Sequence, residues 1–176
     1  MGVREEYLEK ARAELDDLVS AGVVMVGNAF SQVLLLKGEP EGDGAKLLSG
    51  RDGQALRAAL GRLGYAPEDW VGLSSNDAEG FPLVPGTLRL AIVTLDPSTV
   101  IALDDAAAAA LREAFADELV ELANLDAATL APGCLAQVQG MRVMALGGFE
   151  ESLADSKAKQ VMWARLKRLP PLAEPY

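Results

Sequence analysis

Residues 33–60 read VLLLKGEPEGDGAKLLSGRDGQALRAAL. A continuous apolar run leads into a Gly-rich acidic loop, a second glycine turn and an amphipathic stretch. That order predicts a strand, a loop at its carboxyl end and a crossover helix. The apolar run over 33–37 does not alternate, as expected of a strand covered on both faces. Over 52–63, Leu56, Ala59, Leu60 and Leu63 make one stripe, Arg57 and Arg62 can stay wet, and Gly64 suits the residue just past a helix end. In open α/β sheets ligands sit at the carboxyl ends of the strands. The loop after Lys37 is therefore the first place to look for a site.

The flanking sequence extends the pattern. Leu8, Ala11, Leu15 and Leu18 predict an amphipathic helix over 4–20, and 22–30 is a short extended or hairpin-like piece. A second strand is expected over 68–74, a polar loop over 75–80, and a helix over 87–95 stopped by Asp96-Pro97. A third strand follows over 99–103. One long Ala-rich helix is expected over 105–124, with Leu111, Phe115, Leu119 and Leu122 on one side. Segments 135–138 and 141–146 flank Gln139-Gly140, which suggests a hairpin, and 141–146 should be the fourth core strand. Asp155 or Ser156 can cap a last helix to about 169, burying Met162, Leu166 and Leu169. Pro170-Pro171 should end it and leave 170–176 as a loose tail. Trp70 and Trp163 fall within element patterns and are read as core. Alternating strands and helices predict an α/β fold: a three-layer α/β/α sandwich around a central four-stranded parallel sheet, with 1–176 as one domain.

Composition narrows the chemistry. The chain has 176 residues, half of them hydrophobic, and a net charge of −10. It has no histidine, which removes the usual general base, the commonest zinc ligand and any Ser-His or Cys-His pair. Cys134 is the only cysteine, so an internal disulfide and a four-cysteine iron–sulfur site are excluded. Beside Pro132-Gly133 it is expected to be a small buried hydrophobe. No membrane-length apolar run is present, and the charged opening is unlike a secretory signal, so a cytoplasmic protein is expected. A pI near 4.5 disfavours tight duplex binding, so any nucleic-acid contact should be weak and salt-dependent. Seven acids (Asp104, Asp105, Glu113, Asp117, Glu118, Glu121, Asp126) stand against Arg112 in one stretch; Lys157, Lys159, Arg165, Lys167 and Arg168 make the last helix basic. The basic end is either solvated and favourable to the helix C-terminus or a phosphate-binding face.

Five segments in order carry a family resemblance: VMVGN at 24–28, LKGEPEG at 36–42, SGRDGQALRAAL at 49–60, DPSTVIALDDAAAAA at 96–110 and LGGFEESLADSKAKQVMWARLKRL at 146–169. The chain resembles the uracil-DNA glycosylase superfamily, especially the bacterial and archaeal branch whose first motif reads GEAPG. The resemblance implies that Gly38, Glu39 and Gly42 belong to the motif that approaches the sugar and the attacking water. It places the base-stacking position at Leu47 or Leu48, the base reader near Ser74, Ser75 and Asn76, and the second motif at Gly147, Gly148 and Phe149. These ten residues other than Leu47 are the expected ligand-binding set. Pro40-Glu41 stand where the family has Ala-Pro, Leu48 offers no ring, and Gly148 falls where the family has histidine. Glycosidic cleavage needs electrostatic stabilisation of an oxocarbenium-like sugar and an anionic base, and a pocket for the extruded base. The scaffold signal is retained without those groups.

Each candidate has two interpretations. Glu39, Glu41 and Asp43 are candidate catalytic carboxylates or Mg²⁺/Ca²⁺ ligands, or else a solvated acidic loop; the spacing is not that of an EF-hand, and no metal or cofactor is assigned. The helix opening at 49–53 binds an anion, or Asp52 caps the helix and fills that place itself. Three functions follow. The adopted one is a catalytically silent glycosylase-like protein binding a nucleobase, a nucleotide, weakly a single strand, or a partner protein. It requires a pocket walled by 38–43, 74–76 and 147–150. The alternatives are a divergent N-glycosidic hydrolase using a loop carboxylate, and a protein-interaction module whose pocket is filled or shallow.

Overall fold

The computed structural model describes residues 2–169. In chain order the strands are β1 (Val23–Gly27), β2 (Val33–Lys37), β3 (Val71–Asp77), β4 (Thr99–Ala102), β5 (Leu135–Val138) and β6 (Met141–Ala145). The helices are α1 (Val3–Ser20), α2 (Arg51–Arg62), α3 (Pro85–Leu95), α4 (Asp105–Ala114), α5 (Ala116–Val120), α6 (Leu125–Ala128), α7 (Phe149–Ser152) and α8 (Ser156–Leu166). The expected loose tail lies outside the described residues.

The strands form one six-stranded mixed sheet in the order β1-β3-β2-β4-β6-β5. This corrects the expected four-stranded parallel sheet. β2 pairs in parallel with β3 and β4, and β4 with β6, but β1 and β5 are antiparallel edges on β3 and β6. Both edge segments were expected as extended pieces, 22–30 and the hairpin arm 135–138, but not as members of the same sheet, because their partly buried pattern does not announce a core strand. The piece at 22–30 forms no local hairpin; it pairs with β3 instead. That pairing also moves the second core strand from 68–74 to Val71–Asp77, because β1 supplies partners as far as Asp77. The β5–β6 hairpin turns on Gln139 and Gly140, both at positive φ, as a two-residue type I′ turn requires.

Side-chain alternation in the strands divides the core in two. Leu34, Leu36, Val100, Ala102, Val143 and Ala145 point to the side covered by α1, α3 and α4. Val33, Leu35, Ile101, Leu103, Met144 and Leu146 point to the side covered by α2, α7 and α8. Helices thus lie on both faces. The long helix expected over 105–124 is broken at Phe115, which leaves helical geometry (φ −119°, ψ 29°) and buries its ring. The last helix ends at Leu166, although Leu169 is buried as expected. Trp70 and Trp163 pack partly buried against the α2/α8 side, each beside a cation: Arg57 over Trp70, and Arg62 and Lys167 over Trp163. Cys134 is half-buried rather than buried.

Candidate functional site

Alternation sends Leu36 to one face and Lys37 to the other, so the lysine enters the α2 side at the carboxyl end of β2. Its side chain is 2% exposed. Nζ lies 2.6 Å from Glu41 Oε1, 2.7 Å from Asp52 Oδ2 and 3.8 Å from Glu150 Oε2. An isolated ammonium at this depth would be costly; two close carboxylates and a third at the rim compensate it. Burial alone pulls the Lys37 pKa down. Hydrogen bonds to Asp52 and Glu41, with the charges of both, outweigh burial and hold it above the ordinary lysine value. The ammonium is therefore protonated at neutral pH and is neither a base nor a nucleophile.

The loop is built to keep this arrangement. Glu41 Oε1 also accepts from the Leu48 N–H at 2.9 Å, and Asp52 Oδ1 from the Gly53 N–H at 2.8 Å. Asp52 is not the cap residue: Gly50 holds that position, and Asp52 sits inside the first turn of α2. The expectation that Asp52 caps α2 is thus corrected: its carboxylate is taken up by the Gly53 N–H and Lys37. Leu48 is buried at φ +59° and its carbonyl presses on Gly53, where an added Cβ would lie 1.9 Å from Leu48 O. Only glycine fits there.

Gly38 turns to the opposite face, against the start of α4. A Cβ on it would meet the Ala106 Cβ at 2.5 Å. Asp104 caps α4 through the Ala107 N–H at 2.8 Å, and the same carboxylate accepts from the N–H groups of Gly38, at 3.1 Å to each oxygen, and Glu39, at 2.8 Å. Donors that could face an anion are thus consumed internally. Asn76 Nδ2 donates to the Gly38 carbonyl at 2.7 Å, so the expected base reader ties the end of β3 to the loop.

Segments 38–43 and 147–150 reach the same carboxyl edge of the sheet but are separated by the end of β4, and their glycines turn apart, Gly38 to Ala106 and Gly147 to Arg165. Lys37, Glu39, Asp52, Leu103, Asp104, Phe149, Glu150 and Glu151 enclose a cavity of about 10 Å³. That volume is close to the least that holds one water. The single pocket expected from 38–43, 74–76 and 147–150 is therefore absent as drawn. Leu48 and Phe149 are core side chains, and the Phe149 N–H donates to Leu103 O. Gly42, Asp43 and the side of Glu39 are exposed, Gly148 is an exposed cap of α7, and Gly147 lies against Arg165. Ser74 Oγ accepts from the Asn76 N–H. Ser75 and Asn76 open instead onto a separate groove of about 270 Å³ beside the alanines of α4.

Lys37 is a site residue that the sequence pattern does not single out. The available signal was a lysine closing a wholly apolar strand with an acid four residues on; Asp52 and Glu150 join it only through the tertiary fold. Among the described residues, no group of three His, Cys, Asp or Glu side chains could hold a metal ion, and no helix is long and apolar enough to cross a membrane. No protein-family model matches the chain, and the search of curated proteins found no match.

Proposed function

We propose that the chain is a catalytically silent, uracil-DNA glycosylase-like domain that acts by binding a partner protein. The observation that carries this is the Lys37 cluster: paired charges occupy the strand ends and leave a cavity of about 10 Å³. A nucleobase ring does not fit such a space, and so the partner-protein branch of the binding hypothesis is favoured over the nucleobase branch. The hydrolase alternative lacks support from the same geometry. Glu41 is held by Lys37 and Leu48, while Glu39 and Asp43 are exposed at the loop surface. Water activation requires a carboxylate aimed at a substrate in a defined site.

Single-turnover assays on single and double strands containing uracil, hypoxanthine or xanthine test the proposal. No base release above the protein-free rate is expected. Release that disappears in Glu39→Gln, Glu41→Gln or Asp43→Asn, with the variant still folded, would establish the hydrolase alternative.

A further inference from the structure

Helix α3 has only one charged residue, Arg89, and that side chain is turned onto Glu118 and the Phe115 ring. Its outer face therefore carries no charge. Leu90 is 57% and Val93 47% exposed there. A helix that shows large apolar side chains on its solvent side as well as its core side is normally covered. Between α3 and α1 runs a groove in two connected parts, of about 530 and 350 Å³, that share Glu14, Thr94 and Asp96. Leu90 and Val93 line one part and the 59% exposed Phe30 the other. Glu14, Asp17 and Asp96 set negative charge along the groove against one cation, Lys10.

We propose that this groove docks a basic amphipathic helix of another protein. Its apolar stripe would lie on Leu90, Val93 and Phe30, and its Lys or Arg flanks would meet Glu14, Asp17 and Asp96, the helix-in-groove mode of recognition. Charge complementarity selects this occupant over a second copy. Helix α1 bears six acids (Glu5, Glu6, Glu9, Glu14, Asp16, Asp17) against Arg4, Lys10 and Arg12, so two copies meeting symmetrically would oppose like charges. The chain's own basic helix, α8, cannot serve, because Met162 and Leu166 already face its own core. The inference rests on the reading of the domain as a binding module and names the surface used.

The test is fluorescence anisotropy with a labelled 18-residue Leu/Lys amphipathic helical peptide and its Leu/Glu counterpart, using the full chain. The Lys peptide should bind and the Glu peptide should not. Leu90→Ser/Val93→Ser and, separately, Glu14→Gln/Asp17→Asn should each weaken binding at least tenfold. Glu113→Gln/Glu121→Gln, which removes acids away from the groove, should change it less than twofold. Absence of binding, or equal loss from the distant pair, overturns the proposal. So does a dimer in sedimentation that Leu90→Ser/Val93→Ser dissolves, which would make a second copy the occupant. Base excision is measured separately, so failure of the groove and failure of the silent-site proposal are distinguishable.

Discussion

Lys37 illustrates how a single buried charge can decide what a strand end does. Its two near carboxylates lie at hydrogen-bond distance, and Asp52 is as deeply buried as the lysine itself. Removing the cation strands Asp52 in the interior. Lys37→Met should therefore cost about 3–5 kcal/mol of stability, the usual range for breaking a buried pair. Lys37→Met/Asp52→Asn should cost less than Lys37→Met and Asp52→Asn added together, because the second change removes the stranded charge. Urea unfolding of the three variants measures both. Additive losses would mean that the two groups do not depend on one another. Because the folded-state pKa of Lys37 is raised, its contribution is complete below the ordinary lysine value and is lost only as pH climbs through the higher folded value.

At the level of elements, legibility followed burial. β2, β4 and the hairpin strand β6 were readable because their central residues are buried and apolar, and Gln139-Gly140 marked the turn between β5 and β6. The break between α4 and α5 was not, since Phe115 fits the apolar stripe of one continuous helix and is buried whether or not the helix breaks there. The short α5 is then placed for Glu118 to take Arg89 of α3 in a two-pronged ion pair. The hydrogen bonds from Arg89 are the largest influence on Glu118 and hold its pKa below the ordinary glutamate value, against the opposing effect of burial. The sign follows: the pair stabilises the fold above the ordinary value and ceases to as pH falls through the lower folded one. Glu118→Gln should cost less than about 1 kcal/mol at neutral pH, both partners being partly wet. Its difference from the parent should vanish in acid. A gap that persisted or grew at low pH in urea titrations would refute this assignment.

Across the whole molecule, the two faces of the sheet carry opposite character. Acids crowd α1, α4 and α5, while Arg57, Arg62, Lys157, Lys159 and Lys167 lie on the side of α2 and α8. The sequence carried the α/β class and brought segments 38–43 and 147–150 to the same edge of the sheet, but not the end of β4 that stands between them or what fills the space there. Gly38, Asn76 and Phe149 were expected to face a ligand. Instead they bond to Asp104, bond to Gly38 and join the core, respectively, because each partner is chosen by the tertiary fold rather than by neighbouring residues. The central claim is that this junction is closed to a base. Backbone-amide NMR of the labelled chain, titrated with free uracil to millimolar concentration, tests it most directly. The amide signals of Gly38, Glu39, Phe149 and Glu150 should stay where they are throughout. Saturable shifts at those four amides would contradict the account.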